Sequence, residues 1–184
     1  MTNFKFSPIK KESELLKAIR YIHLESYKLC KTAFGKYLAN AGNIGIFCHF
    51  DDEYLNLTII KKELTYPSNN PDQKYFTLLK PIIIPQIEDL PEIEYKYLYI
   101  RKPREDSPQV GDLDFYFEDE EFKSVKSLIL KEKEFPGARI YDRVDLNMIE
   151  LFNPNVDVVA YVSVQDRKRK KSELNNLTPL FYKL

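Results

Sequence analysis

Phe50-Asp51-Asp52-Glu53-Tyr54 and, further along, Phe117-Glu118-Asp119-Glu120-Glu121-Phe122 carry the same local signal twice: an aromatic residue closes a strand, and consecutive acids open a helix. Acidic side chains are favoured there because the unpaired N–H groups at a helix start carry partial positive charge. Ahead of the first corner the chain alternates, with Ile44, Ile46, Cys48 and Phe50 on one side and Asn43, Gly45, Phe47 and His49 on the other. Ahead of the second, Leu113, Phe115 and Phe117 oppose Asp112, Asp114 and Tyr116. A period of two is that of a strand. After each corner the period changes: Leu57, Ile60 and Leu64, then Phe122, Val125, Leu128 and Ile129, recur at helical spacing. The pattern predicts helices from Asp52 to Leu64 and from Asp119 to Lys131, on the same side of their sheets.

Upstream, Leu15, Ile19, Ile22, Leu29 and Ala33, with a second row at Leu16, Cys30, Phe34 and Tyr37, predict a long helix with Ser13 as N-cap and Gly35 near its end. Downstream, Tyr66-Pro67-Ser68-Asn69-Asn70-Pro71 and Pro136-Gly137 stop the two later helices. Extended stretches follow the first stop at Lys74 to Leu79, Ile82 to Gln86 and Ile93 to Lys102. Others follow the second at Ala138 to Arg143, Asn147 to Asn153 and Val156 to Val164. The reading is an α+β chain of two tandem βαβββ modules forming a shared curved sheet and cleft, preceded by an N-terminal helical extension. All 184 residues are expected to form one domain: 1–41 the extension, 42–103 and 109–164 the modules, 165–184 a basic tail.

With 43% apolar residues, 13 Tyr and 12 Phe, the composition is that of a chain able to build a core. Lys plus Arg and Asp plus Glu balance at 28 each, so no net field favours nucleic acid. The run Arg167-Lys168-Arg169-Lys170-Lys171 reads as a solvated terminus, and Leu177, Leu180, Phe181 and Tyr182 as a return to the body. Cys30 and Cys48 lie in apolar patterns, the setting of small buried hydrophobes and not of a disulfide framework. No apolar run reaches the ~20 residues of a membrane span, and the opening residues do not form a signal segment. The expectation is a cytoplasmic protein without membrane contact, with a homodimer left open.

If the helices cover the apolar strand faces, the opposite faces line the cleft. Alternation places there Asn43, Phe47 and His49, then Tyr97, Tyr99 and Arg101, then Asp112, Asp114 and Tyr116, and then Met148, Glu150 and Phe152. Aromatic walls with a few convergent charges are the make-up of a small-molecule site, although a solvated outer sheet face has the same pattern. His49 reads as a strand-end residue and His23 as a surface or interface one; two histidines offer little for a zinc or copper centre. Glycine-rich phosphate loops, Cys-x-x-Cys pairs and Gly-x-Ser-x-Gly elbows are absent from the sequence.

The repeated order, together with Ala41-Gly42-Asn43-Ile44-Gly45-Ile46-Phe47-Cys48-His49, Leu79-Lys80-Pro81-Ile82-Ile83-Ile84, Tyr99-Ile100-Arg101-Lys102-Pro103 and Asp112-Leu113-Asp114-Phe115, resembles the vicinal oxygen chelate superfamily. Within it, the nearest likeness is to the YecM-type bacterial proteins. The resemblance spans Gly42 to Val164 and implies metal ligands on the first and a late strand of each module. Here those positions hold Asn43, Arg101, Asp112 and either Glu150 or, if Val156 to Val164 is the last strand, Tyr161. Arg101 cannot bind a metal. The resemblance therefore implies a cleft that binds a small polar or anionic ligand through Arg101 and the tyrosines, with no cofactor. It also implies a salt bridge between Arg101 and Asp112 where a metal once sat, with Asn43 near. The alternatives are a divalent-metal lyase, isomerase or dioxygenase using Asp112 and Glu150 with Mg or Mn, and a protein-interaction module docking through the first helix or the tail.

Overall fold

The structure, a computed structural model, describes residues 4–39, 41–104, 107–131, 135–143 and 146–164. The basic run and the apolar residues of the tail lie outside them.

The long helix α1 (Glu12–Phe34) buries Leu15, Ile19, Ile22, Tyr27, Cys30 and Ala33 along one stripe. It ends at Gly35, whose φ of 68° is the left-handed conformation that only glycine adopts without cost and whose N–H returns to the Lys31 carbonyl. Lys11, not Ser13, is its N-cap; Ser13 already lies within the first turn.

After α1 the chain runs β1 (Ala41–Phe47), α2 (Asp51–Leu64), β2 (Phe76–Ile84) and β3 (Ile93–Arg101). It then repeats the corner with β4 (Gly111–Phe117), α3 (Asp119–Leu130), β5 (Ala138–Arg143), β6 (Leu146–Leu151) and β7 (Val158–Val164). Both helices start within one residue of the predicted position, on Asp51 and Asp119. The strands form one curved, unclosed seven-stranded sheet in the order β2-β3-β1-β4-β7-β6-β5. The two halves meet along the antiparallel pair β1 and β4, and each half closes with its last strand parallel to its first, β3 beside β1 and β7 beside β4.

Two expected stretches, Lys74 to Leu79 and Ile82 to Gln86, are one strand. In β2 the register against β3 slips between Thr77 and Ile82, and the slip contains Pro81. Proline cannot donate to a ladder, and it is tolerated here because β2 is an edge strand with an irregularity at that point.

One face of the sheet is the core. Leu113, Phe115 and Phe117 on β4 and Ile44 and Ile46 on β1 are buried, and Phe115 meets the Tyr27 ring edge-on at 5.1 Å while Phe117 meets Phe34. Phe50, expected on the same side, is exposed because it is the residue that turns the chain into α2. His23 is fully buried, not at the surface: it falls on the stripe of α1 turned to the sheet, and its Nδ1 shares a 2.7 Å hydrogen bond with the Tyr95 hydroxyl. Burial pushes the pKa of its imidazole down to about 4. Cys30 and Cys48 are buried free thiols.

Because Phe115 is fully enclosed, Phe115→Ala is expected to lower the unfolding free energy by ~3–5 kcal/mol through lost transfer energy and a residual cavity. Denaturant melts measure it, and a change below ~1 kcal/mol would be that of a surface residue and would contradict this packing.

Candidate functional site

On the sheet face away from α1, β1 presents Asn43, Gly45 and Phe47 in succession, that is, a polar residue, no side chain at all, and a large ring. The neighbouring strands lean into that relief. A Cβ at Gly45 would collide with Oδ1 of Asp112, and one at Gly42 with the ring of Tyr116. Two side chains of β4 are thus folded over two glycines of β1. Gly45 is paired directly with Asp112 on one side and Tyr99 on the other.

Asp114 is firmly held. Its Oδ2 accepts hydrogen bonds from Asn43 Nδ2 at 3.3 Å and from the Tyr75 hydroxyl at 3.2 Å, and Asn43 Nδ2 also donates to the Tyr116 hydroxyl at 3.1 Å. The Tyr75 ring packs against Tyr99 with centroids 5.4 Å apart. Burial, followed by the charges of Asp114 and Asp112, pushes the pKa of Tyr75 well above the usual phenol range.

Arg101 is held differently. Its guanidinium lies over the Phe47 ring, 3.3 Å from the centroid, and Nη2 donates to Ser107 Oγ, which in turn donates to Gln109 Oε1 at 3.0 Å. Its Nε–H is buried and has no partner among the described residues. Desolvation lowers the pKa of Arg101, and the nearby Asp112 charge opposes that shift. The expected salt bridge is not made: among the described residues no ion pair joins Arg101 and Asp112, and Asn43 bonds Asp114 instead of approaching Asp112. Stacking on Phe47, its direct partner across the β1–β3 ladder, draws the guanidinium to the far end of β1.

Asp112 therefore has no ion-pair partner among the described residues. Burial, and after it the neighbouring Asp114, push its pKa up to about 8, with Arg101 pulling the other way. Tyr99 and Tyr161, whose hydroxyls have no hydrogen-bond partner among the described residues, are both raised chiefly by burial, and each lies within the field of Asp112 and Arg101. Tyr97 is half-buried next to this group, on β3 opposite Thr77.

Glu150 is not part of that cluster. It lies on β6, while the strand beside β4 is β7, so Tyr161 occupies the late-strand position and is paired with Asp114 on one side and Glu150 on the other. The Glu150 carboxylate is taken by Arg139, in a two-pronged ion pair at 3.0 and 3.1 Å. The metal set implied by the resemblance, Asp112 with Glu150, thus does not fit a shared ion: the two carboxylates are separated by β7 and one is already neutralised. Among the described residues no three His, Cys, Asp or Glu side chains are grouped as a metal would need.

His49 is a strand-end residue, as its position suggests: Phe4 stacks on it at 3.9 Å, and Ser7 Oγ lies 2.7 Å from its Nδ1. Two contributors were not read from the sequence: Tyr75, which lies just before β2, and Ser107, in the loop between β3 and β4; Gly45 was placed on this face by parity, without a role. A glycine inside a strand does signal close approach of another group, and at Gly45 that group is a carboxylate.

No family model and no curated protein matches the chain. Among solved structures it is similar to one described as Structural Genomics, Protein EC4020, with a TM-score of 0.55 at 12% identity over 97% of this chain and 99% of that one. That likeness is one of fold. The chain is also similar to a variant of Streptomyces coelicolor methylmalonyl-CoA epimerase in complex with 2-nitronate-propionyl-CoA, with a TM-score of 0.33 at 20% identity over 68% of this chain and 98% of the other. A methylmalonyl-CoA epimerase in complex with methylmalonyl-CoA and ammonium gives a TM-score of 0.32 at 20% identity, over 70% and 96% of the two chains. No helix among the described residues is long and apolar enough to cross a membrane.

The raised pKa of Asp112 has a definite sign in stability. Its unfolded value is near 3.8 and its folded value about 8, so across that window the folded state holds the proton more tightly and ionisation works against folding. Asp112→Asn cannot ionise. Its stability relative to the wild type should rise as pH goes from about 4 to about 8 and then level off, read from denaturant melts of both proteins at each pH. A difference independent of pH would place the Asp112 carboxylate in water.

Proposed function

We propose that the polar sheet face binds a small polar or anionic ligand, in a protein of the vicinal oxygen chelate type closest to the YecM-type proteins, and that no catalytic metal takes part. The site comprises Asn43, Phe47, Tyr97, Tyr99, Arg101, Asp112, Asp114 and Tyr116, with Glu150, anchored by Arg139, at its outer edge.

The observation that carries this reading is the state of Arg101. A guanidinium is a planar fork of five N–H donors, suited to a carboxylate or a phosphate. Here it lies over the Phe47 ring and donates from one amino group to Ser107, while its Nε–H is buried and unmatched among the described residues. Leaving a buried donor of a charged group unsatisfied costs more than an ordinary hydrogen bond returns. An anion taken up in the plane of the guanidinium removes that cost, and the neighbouring tyrosines supply apolar walls and hydroxyls.

A panel of small carboxylic acids followed by amide chemical shifts tests the reading. Perturbations are expected along β1, β3 and β4, and Arg101→Gln should weaken binding by ~10-fold or more, the usual worth of a hydrogen bond to a charged group. Protein purified without an affinity tag should bind equally well before and after exposure to EDTA. Stoichiometric divalent metal whose removal abolishes binding would replace this reading with a metal-dependent one.

A further inference from the structure

The groups on this face divide into two sets. Asp114, Asn43, Tyr75 and Tyr116 bond one another and are saturated to the extent described above. Asp112, Tyr99 and Tyr161 keep polar atoms with no hydrogen-bond partner from another side chain among the described residues, and Arg101 keeps its Nε–H unmatched. The second set surrounds the step in β1 where Phe47 gives way to Gly45.

Arg101 lies over Phe47 and Asp112 over Gly45, so both reach over the same strand from opposite sides, β3 and β4. Their charged ends are thereby separated by two residues of β1, ~7 Å along the strand. That is too far for an ion pair. It is also a distance that two hydrogen bonds of ~2.8 Å and a two- or three-atom fragment span when bent. One end of the gap offers donors only, from a permanent cation. The other offers a carboxyl group that accepts.

We infer that the ligand is a small hydroxycarboxylic acid, its carboxylate on Arg101 and its hydroxyl donating to Asp112, above the stretch of β1 from Gly45 to Phe47. The Tyr99 ring lies beside Gly45, and its hydroxyl and that of Tyr161, which have no hydrogen-bond partner among the described residues, complete the ligand's remaining hydrogen bonds. A simple carboxylate fills the Arg101 end and leaves Asp112 facing nothing; a polyol fills the Asp112 end and leaves Arg101 unmatched. Only a molecule carrying both groups satisfies the two ends together. Gly45 is required because any Cβ there would displace the Asp112 carboxylate.

This inference rests on the reading of the face as an anion site, and matched probes separate the two. Lactate and malate are titrated against propionate and succinate, which lack the hydroxyl, and against glycerol, which lacks the carboxylate, with the amide signals of β1, β3 and β4 as readout. The hydroxy acids are expected to bind ~10-fold tighter than their partners, the upper worth of one ordinary hydrogen bond. Asp112→Leu should abolish that preference, read as the ratio of hydroxy-acid to plain-acid affinity within each variant, and Asp112→Asn reduce it; the Asn variant alone decides the matter if the Leu variant does not fold. Arg101→Gln should weaken all four acids. Equal binding of lactate and propionate, or a preference that survives both substitutions at Asp112, overturns the hydroxy-acid assignment and leaves the anion site standing. If no acid perturbs these strands, the anion site falls as well.

Discussion

The antiparallel pairing of β1 with β4 is the constraint on which the rest of the structure depends. It joins the two halves of the sheet, and it sets Gly45 directly opposite Asp112. A carboxylate folded onto a bare backbone is desolvated on one side by that backbone and on others by Tyr99 and its own strand, which is why burial is the leading cause of its raised pKa. The same pairing lets the Tyr116 ring lie over Gly42, and the register of β4 against β1 slips in that stretch, between Ala41 and Ile44. Side chains at these two glycines would force the halves apart or turn Asp112 and Tyr116 outward. The seam is thus both a structural joint and the floor of the candidate site.

The core side of the seam is held chiefly by apolar burial, with a few buried polar groups such as His23 and Ser26 on α1. Tyr27 and Phe115 meet edge to face, and Ile22 approaches Gly111 so closely that a Cβ there would strike its Cδ1. Close approach of α1 to β4 therefore depends on a glycine at the start of that strand. Within this core His23 and Tyr95 share a hydrogen bond while His23 Nε2 has no partner among the described residues. A neutral imidazole satisfies that arrangement, and a protonated one would bring an unmatched N–H and a charge into the core, in keeping with its lowered pKa.

What the sequence made legible was whatever depends on periodicity. The change from alternation to helical spacing at Asp51 and again at Asp119 located both strand-to-helix corners, and parity alone put Asp112, Asp114 and Tyr116 opposite Leu113, Phe115 and Phe117. Strand pairing is a different kind of information. Whether Glu150 or Tyr161 neighbours β4 depends on which of β6 and β7 inserts into the sheet, and although β7 is the more β-branched segment, strand composition does not specify which partner a strand pairs with. The fate of Arg101 was equally hidden. A guanidinium placed between an aromatic ring and a carboxylate has two comparable partners, and the side-chain direction that decides between them is not encoded in spacing.

That decision has a physical reason. An Arg101–Asp112 pair would have to draw the guanidinium away from Ser107 and from the Phe47 face, and a partly buried pair gains from Coulomb attraction little more than it loses in desolvation. Stacking on Phe47 keeps one face of the guanidinium against a polarisable ring, and Ser107 satisfies one amino group, so the cation is positioned without being neutralised. Asp112 in turn is relieved by its raised pKa instead of by a counter-ion. Arg101 thus keeps an Nε–H, and Asp112 a carboxyl group, that no side chain among the described residues bonds. With the carboxyl group of Asp112 kept protonated up to about pH 8 by burial, the positive charge of Arg101 is left uncancelled on this face of the sheet.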